Sequence, residues 1–148
     1  MSSMNNATEN SLALLLFNNT TWANIGDATG LVGSSGAGST QLMLADTALA
    51  ETATSLTTTE IAYTGYARPT QARSSAGWTV TNDTVTNAAI IEFGEMTAGG
   101  PDTAVEVGLG FIATGDVLRL HQDLAADLVI NNGVNPRFAI GALSWVFA

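Results

Sequence analysis

Residues 77–86, with the sequence Gly-Trp-Thr-Val-Thr-Asn-Asp-Thr-Val-Thr, decide the fold of this chain. Threonine alternates with apolar residues on both sides of the Asn82-Asp83 pair, and this two-residue period is typical of half-buried β-strands. Asn and Asp accept the left-handed backbone of tight hairpin turns, while Thr and Val favour a pleated surface. The stretch therefore predicts a β-hairpin.

Short apolar or alternating runs separated by turn signals continue on both sides of this hairpin, as in β-sandwiches and barrels. A second turn is predicted at residues 131–136, where Gly133 can take a positive φ. The last run, 137–147, is apolar at nearly every position, so we expect both of its faces to be covered, either within a sandwich or by a neighbouring subunit. Gly108 and Gly110 leave room for a close neighbour, for which we expect Trp78 or Trp145. The predicted strands are residues 40–45, 64–73, 77–82, 84–93, 104–113, 116–124, 127–131 and 137–147.

The first 39 residues differ from the rest of the chain. Residues 12–17 have high helix propensity and follow a Ser or Asn cap, so they predict a short helix. Residues 26–39 are rich in Gly and Ser and predict a connection within an extended arm. We expect a neighbouring subunit, rather than the chain's own core, to hold this arm. The predicted domains are an N-terminal arm at 1–39 and a β-sandwich at 40–148, with residues 46–62 forming a loop that contains a helical turn.

The composition predicts a largely neutral surface. Of the 148 residues, 46% are hydrophobic and only 11% are charged, which is well below the quarter that is typical of soluble domains. Charged residues are the ones that interfaces deplete and that free monomers use to stay apart. The chain is long enough for one core, and the composition favours a protein that functions in contact with partners.

The net charge of −9 arises from 13 acidic residues against four arginines, with no lysine. Nucleic acid is excluded as a partner, because phosphate binding requires clustered basic residues. Arginine is favoured in buried or interfacial ion pairs, so we expect each arginine to have an acidic partner in its own chain or in a neighbour. The arginines are Arg68, Arg73, Arg119 and Arg137.

Disulfides and thiolate metal sites are excluded because the chain has no cysteine. The apolar run at 12–17 is too short to span a bilayer, and no basic region precedes it as in a signal peptide. We therefore expect synthesis in the cytoplasm and no membrane partner.

Catalytic and cofactor signatures are missing from the sequence. The single histidine, His121, is predicted to be exposed beside Arg119 and Asp123, but no nucleophile motif accompanies it. The acidic residues lack the spacing of an acid–base pair or of a calcium loop. The glycine-rich stretch at 30–40 lacks the lysine of a phosphate loop. We predict no catalytic residue, no metal and no cofactor, so the chain is not expected to be an enzyme.

Several segments resemble a group of short virion proteins of tailed phages and prophages, which include capsid decoration proteins and tail fibre proteins. The resemblance covers most of the chain but not residues 39–60, and the matching segments are turns and strands without catalytic content. These segments are residues 63–68 (Tyr-Thr-Gly-Tyr-Ala-Arg), 73–80, 87–89 and 131–143, together with 15–18 and 22–25 near the N-terminus.

This resemblance implies a jelly-roll-like β-sandwich that acts as a homo-oligomer on a phage particle. The first hypothesis is a capsid decoration (cement) protein, a homotrimer made in the bacterial cytoplasm, which bridges subunits of the major capsid protein on the virion surface. The alternative is a tail fibre or baseplate component involved in host attachment. The residues predicted at the interface are Leu14, Phe17, Trp22, Arg68, Arg73 and Arg137.

Overall fold

The computed structural model describes residues 4–55, 59–112 and 117–147. This part of the chain is mostly β, with several antiparallel sheets and one short N-terminal helix, which is consistent with the predicted β-protein. The strand orders are β3-β4-β9, β2-β1-β6-β7 and β5-β8. The elements are α1 (Asn6–Asn18), β1 (Ser39–Ala45), β2 (Thr70–Ala72), β3 (Trp78–Thr81), β4 (Thr84–Asn87), β5 (Ile91–Glu92), β6 (Asp102–Gly110), β7 (Leu120–Ile130), β8 (Arg137–Phe138) and β9 (Ser144–Val146).

The chain divides into two compact units. Unit 1 comprises the described residues up to Ser39, the segment Gln71–Ile91 and the described residues from Phe138 onward. Unit 2 comprises Thr40–Thr70 and Glu92–Arg137. The predicted boundary at residue 39 is thus one boundary of unit 1, but two later segments also belong to that unit.

Unit 1 contains α1, which begins earlier than predicted. The Asn5 side chain accepts a 2.9 Å hydrogen bond from the Thr8 backbone N–H, so a polar turn precedes the leucine run. Asn19, with φ of 56°, ends the helix in the left-handed conformation. Phe17 is fully buried, and its ring meets the Trp78 ring edge-on at 5.0 Å between centroids.

The hairpin predicted at 77–86 is confirmed as β3 and β4. Its strands are antiparallel, with Thr81 opposite Thr84, and the turn residue Asn82 has φ of 57°. Strand β9 adds to β4, and Trp145 lies opposite Val85 on the buried face.

The prediction of one strand at 137–147 is wrong. This run is divided into β8 and β9 by a turn, in which the Ala142 N–H donates to the Ala139 carbonyl at 3.0 Å. Ile140 and Val146 are 66% and 64% exposed, so the chain by itself does not cover both faces of the run, and covering by a neighbouring subunit stays a prediction. An apolar pattern alone does not show whether a neighbouring segment reaches each face.

Unit 2 is built on the antiparallel strands β1, β6 and β7. The strands predicted at 40–45 and 104–113 correspond to β1 and β6, although residue 113 lies outside the described part. Their buried apolar side chains include Leu42, Leu44, Val107 and Leu109. The close neighbour of Gly110 is the Val117 carbonyl of the same unit: a Cβ at Gly110 would lie 2.5 Å from that oxygen.

The prediction of two separate strands at 116–124 and 127–131 is wrong, because this region forms the single strand β7. Residue 116 lies outside the described part. The register shifts between Ala104, opposite Leu128, and Glu106, opposite Asp123, so β7 bulges while remaining one strand. The predicted loop at 46–62 contains a turn, in which the Ala53 N–H donates to the Ala50 carbonyl at 2.8 Å. Residues 56–58 lie outside the described part.

Candidate interaction surface

Exposed apolar side chains are concentrated in unit 1. Among the described residues, large hydrophobic side chains that are at least 38% exposed occur at seven positions in unit 1 and at two in unit 2. Single exposed hydrophobic residues are ordinary, whereas a contiguous apolar patch marks an interaction site, so unit 1 is the place to look for such a patch. The positions in unit 1 are Met4, Ile25, Leu31, Val32, Ile90, Ile140 and Val146, and those in unit 2 are Ile112 and Val129.

Charged residues have the opposite distribution. The described part of unit 1 contains three acidic residues and one arginine, a net charge of −2, and one of the acids, Glu9, is buried. The described part of unit 2 contains nine acidic residues and three arginines, a net charge of −6. The neutral surface that the composition predicts is therefore a property of unit 1. Because interface cores are depleted of charge, unit 1 is the better candidate for a binding surface.

Residues 22–32, which we call the N-terminal hairpin, carry three of these apolar side chains. Trp22 and Leu31 exchange two backbone hydrogen bonds of 2.9 Å. The Asp27 carboxylate accepts hydrogen bonds from the backbone N–H groups of Thr29 at 2.8 Å and Gly30 at 2.9 Å. Gly30 has φ of +70°, and a Cβ there would lie 2.1 Å from the Trp22 carbonyl oxygen. This glycine-rich segment is an ordered turn rather than the simple connection that we predicted.

The hairpin is attached to its own chain. The Asn19 side chain donates to the Ser34 carbonyl at 2.8 Å and accepts from the Ser34 N–H at 2.7 Å. These contacts and those of Arg73 lie within unit 1, so the chain itself holds this segment, and the predicted contact with a neighbouring subunit stays a prediction.

Arg73 links the end of α1 to the segment that follows the hairpin. All five N–H groups of its guanidinium donate to neutral oxygen atoms, so the expectation of an acidic partner is wrong for this arginine. The last turn of α1 has no basic residue, and Arg73 supplies the cation that the carbonyl end of a helix favours. The acceptors are Leu15 O at 2.9 Å, Leu16 O at 2.7 Å, Asn19 Oδ1 at 3.2 Å, Ser34 Oγ at 3.1 Å and Ala37 O at 3.1 Å.

Two more exposed apolar residues follow carbonyls that the buried side chain of Asn87 binds. Its amide nitrogen donates to the carbonyls of Ala89 and Ala139, both at 2.8 Å, and its amide oxygen accepts from the Leu143 N–H at 2.9 Å. Ile90 and Ile140 directly follow the two bound carbonyls and are 50% and 66% exposed. The Asn87 amide thus binds two backbone segments that are distant in the sequence, and each segment carries an exposed isoleucine.

The predicted interface residues of unit 1 lie at different depths. Phe17 has no exposed surface, so it stabilises unit 1 and contacts no partner in this conformation. Leu14, Trp22 and Arg73 are partly buried. Sequence reasoning missed Ile25, Leu31, Val32, Ile90 and Ile140. For Ile25, Leu31 and Val32, the sequence did contain a signal, because branched apolar residues are unusual in or beside a glycine-rich connection.

The predicted interface arginines of unit 2 have acidic partners in their own chain, as we expected of the arginines. Arg68 Nε donates to Glu60 Oε1 at 2.6 Å, and Arg68 Nη2 lies 2.5 Å from Glu60 Oε2. The Tyr66 hydroxyl also donates to Glu60 Oε1, at 2.8 Å, and burial raises the pKa of Tyr66. Arg137 is exposed and lies 3.9 Å from the Glu92 carboxylate, a separation that contributes little stability.

His121 has a different environment from the one predicted. Its side chain is 26% exposed, and its Nδ1 lies 3.0 Å from Oε2 of the buried Glu106. The predicted exposure is only partial, and the contact with Glu106, which comes from strand β6 across the sheet, was not predicted. His121 lies opposite Gly108, two residues from Glu106. The alternation of residues along β7 carries no information about strand β6, so it could not predict the contact with Glu106.

Two further observations bear on what the chain can bind. Among the described residues, no three His, Asp or Glu side chains are grouped as metal ligands. No helix in the described part of the chain has the length and apolar character needed to cross a membrane. The chain matches neither a protein-family model nor a curated protein.

Proposed function

We propose that this chain is a non-enzymatic structural virion protein, a capsid decoration (cement) protein that stabilises a phage head by bridging subunits of the major capsid protein. The proposal includes a jelly-roll-like β-sandwich fold, self-association as a homotrimer and a location on the capsid surface. The observation that carries it is the segregation of exposed apolar side chains into unit 1 and of charge into unit 2.

A decoration protein needs one surface that binds and another that stays soluble. Unit 1 supplies the apolar, weakly charged surface, and we propose that it contacts the shell and the neighbouring copies. Unit 2 supplies the acidic surface, which repels other particles and keeps the assembly soluble. Repetition over many identical sites allows individually weak contacts to hold firmly.

The copy number in purified virions of the phage that encodes this chain tests the proposal. Quantitative mass spectrometry is expected to find this chain in amounts comparable to those of the major capsid protein. Virions stripped of it are expected to release DNA at a lower temperature and to recover when the purified protein is added back. Absence from virions overturns the proposal. A few copies per virion together with an altered host range overturns decoration in favour of the tail component.

A matched pair of variants tests the role of unit 1. Val32→Asp introduces a charge on unit 1 and Val129→Asp introduces the same charge on unit 2, at side chains that are 64% and 54% exposed. Only the first is expected to weaken binding to stripped virions. Equal binding of both variants contradicts the assignment of the binding surface to unit 1.

A further inference from the structure

Asn132 and Gly133 form an asparagine–glycine pair, and the sequence contains no second pair of this kind. In such a pair the backbone can attack the asparagine side chain, because glycine has no Cβ to shield the nitrogen that follows the asparagine. Both residues are exposed in the turn between β7 and β8, and no atom lies within 4 Å of a Cβ placed on Gly133. Water and base therefore reach this pair.

The reaction that this pair allows is the hydrolysis of the Asn132 amide in two steps. The Gly133 backbone nitrogen loses its proton and attacks Cγ of Asn132, so a new C–N bond forms, and ammonia leaves a cyclic imide behind. Water then opens the ring. Breaking the new C–N bond gives aspartate, and breaking the original peptide bond gives isoaspartate. The amide and water together yield a carboxylate and ammonium, so the reaction needs no oxidant or other reactant.

The folded chain holds the nitrogen that must attack. The Gly133 N–H donates a 2.8 Å hydrogen bond to the carbonyl of Met96, a residue that is fully buried. The Met96 N–H donates to the Val134 carbonyl at 2.9 Å, and the Val134 N–H donates to the Asn131 carbonyl at 3.0 Å. The Gly133 nitrogen must give up its proton and turn toward the Asn132 side chain, so this turn has to open before the attack.

We infer that Asn132 is a latent deamidation site, which is protected while Gly133 is bound to Met96 and is modified when the turn opens. The hydrogen bond to Met96, rather than the exposure of Asn132, sets the rate in the folded chain. Local opening of a turn is reversible, whereas the loss of ammonia to the solvent is not. Asn132 therefore accumulates a permanent record of the openings of this part of unit 2.

The two products differ in their effect on the turn. Both add a negative charge to unit 2, whose described residues already carry a net charge of −6. Isoaspartate also inserts a methylene group into the backbone, so the turn cannot keep its hydrogen bonds to Met96 in their present geometry. Asn132→Asp reproduces the charge without the extra methylene group. The Gly133 amide is expected to stay protected from hydrogen exchange in Asn132→Asp and to lose this protection in the isoaspartyl product.

Peptide mass spectrometry tests the site. The purified chain is kept at mildly alkaline pH, below the range in which the tyrosines titrate, with or without enough guanidinium chloride to unfold it. In the unfolded chain, Asn132 is expected to lose its amide several-fold faster than the other asparagines. Asn135 is the internal control, because Pro136 follows it and the proline nitrogen carries no hydrogen. An unfolded chain in which Asn132 reacts no faster than the other asparagines overturns the inference.

The folded sample tests the protection. Conversion of Asn132 is expected to be at least about tenfold slower than in the unfolded chain, because the hydrogen bond to Met96 must open together with its neighbours. As guanidinium chloride is raised below the unfolding transition, conversion and hydrogen exchange of the Gly133 amide are expected to rise in parallel, since both require the same opening. Equal conversion in the folded and unfolded samples, or fast conversion beside a Gly133 amide that stays protected, overturns the inference.

A matched pair of core variants tests the contact that controls the rate. Met96→Ala and Met43→Ala each remove a side chain of unit 2 that has no exposed surface. Only Met96→Ala loosens the residue whose carbonyl holds Gly133, so it is expected to speed conversion in the folded chain about tenfold relative to Met43→Ala. If either variant fails to fold, the milder Met96→Leu and Met43→Leu replace the pair. Equal conversion in the two variants overturns the assignment of control to Met96.

Discussion

Arg73 Nε donates a 2.7 Å hydrogen bond to the carbonyl oxygen of Leu16, in the last turn of α1. The carbonyls of this turn have no partner within the helix, and Arg73 binds two of them. The same guanidinium holds Ser34 and Ala37, just beyond the N-terminal hairpin. One side chain therefore ends the helix and supports the base of the hairpin.

Replacing Arg73 with lysine tests this role. An ammonium group has three donors on one nitrogen, so it cannot reach all five acceptors. Arg73→Lys is expected to lower the free energy of unfolding by about 2 kcal/mol, as for the loss of charge-assisted hydrogen bonds. Urea denaturation measures this change. Arg137→Lys is the control, since that arginine is exposed, and it is expected to change stability by less than about 0.5 kcal/mol. Equal effects would show that Arg73 is only a surface cation.

The Gly30 position offers a test of the hairpin itself. Gly30→Ala places a Cβ 2.1 Å from the Trp22 carbonyl, so the turn must distort. Gly36→Ala is the control, because no atom lies within 4 Å of a Cβ there and Gly36 has no positive φ. Only the first substitution is expected to reduce self-association and to speed amide exchange at Trp22 and Leu31. Normal protection of both amides in Gly30→Ala would contradict the hairpin geometry.

Asn87 is expected to be among the costliest residues to replace in unit 1. Asn87→Ala removes three hydrogen bonds, which join its side chain to the Leu143 N–H and to the carbonyls of Ala89 and Ala139, and this predicts a loss of about 2 to 3 kcal/mol. Hydrogen exchange of the Leu143 amide and urea denaturation measure this. Asn132→Ala, at an exposed turn position, is the control and is expected to be nearly neutral.

Alkaline pH is expected to destabilise the protein through its two tyrosines. Burial raises the pKa of Tyr63 and Tyr66 above the ordinary value of 10.0, so the folded chain keeps protons that the unfolded chain releases. The contribution of the two tyrosines to the free energy of unfolding should therefore be constant below pH 10. Above pH 10 it should fall, by up to about 1.4 kcal/mol per pH unit for each tyrosine.

Urea denaturation between pH 8 and pH 11 checks this dependence. The chain has no lysine and no cysteine, so few other groups titrate in that range. Tyr66→Phe is expected to reduce the slope above pH 10, although it also removes the hydroxyl that accepts from the Leu44 N–H at 3.1 Å. An unchanged slope in this variant would exclude Tyr66 as a source of the pH dependence.

His121 is expected to contribute to stability through its contact with Glu106. His121→Ala removes the hydrogen-bond partner of the buried Glu106 carboxyl group and should cost about 1 to 2 kcal/mol. Asp123→Ala, on the exposed part of the same strand, is the control with an expected change below about 0.5 kcal/mol. Equal thermal unfolding of the two variants would argue against a structural role for the pair.

The sequence by itself determined the local structure. Alternating Thr and Val around Asn82 specified the β3–β4 hairpin, and the leucine run with its polar flanks specified α1, because these features depend on a few neighbouring residues. The low content of charged residues also indicated a neutral surface, although it could not locate that surface in unit 1.

Only the tertiary structure decided which distant segments meet. The Asn87 amide joins Ala89 to Ala139, Arg73 binds the end of α1, and Glu106 meets His121 across the sheet. Such contacts depend on the path of the whole chain, and hydrogen bonds between distant residues leave no periodic signal in the residues between them. For the same reason, the exposure of Val32 and Ile140 and the burial of Phe17 became evident only once the neighbours of each side chain were in place.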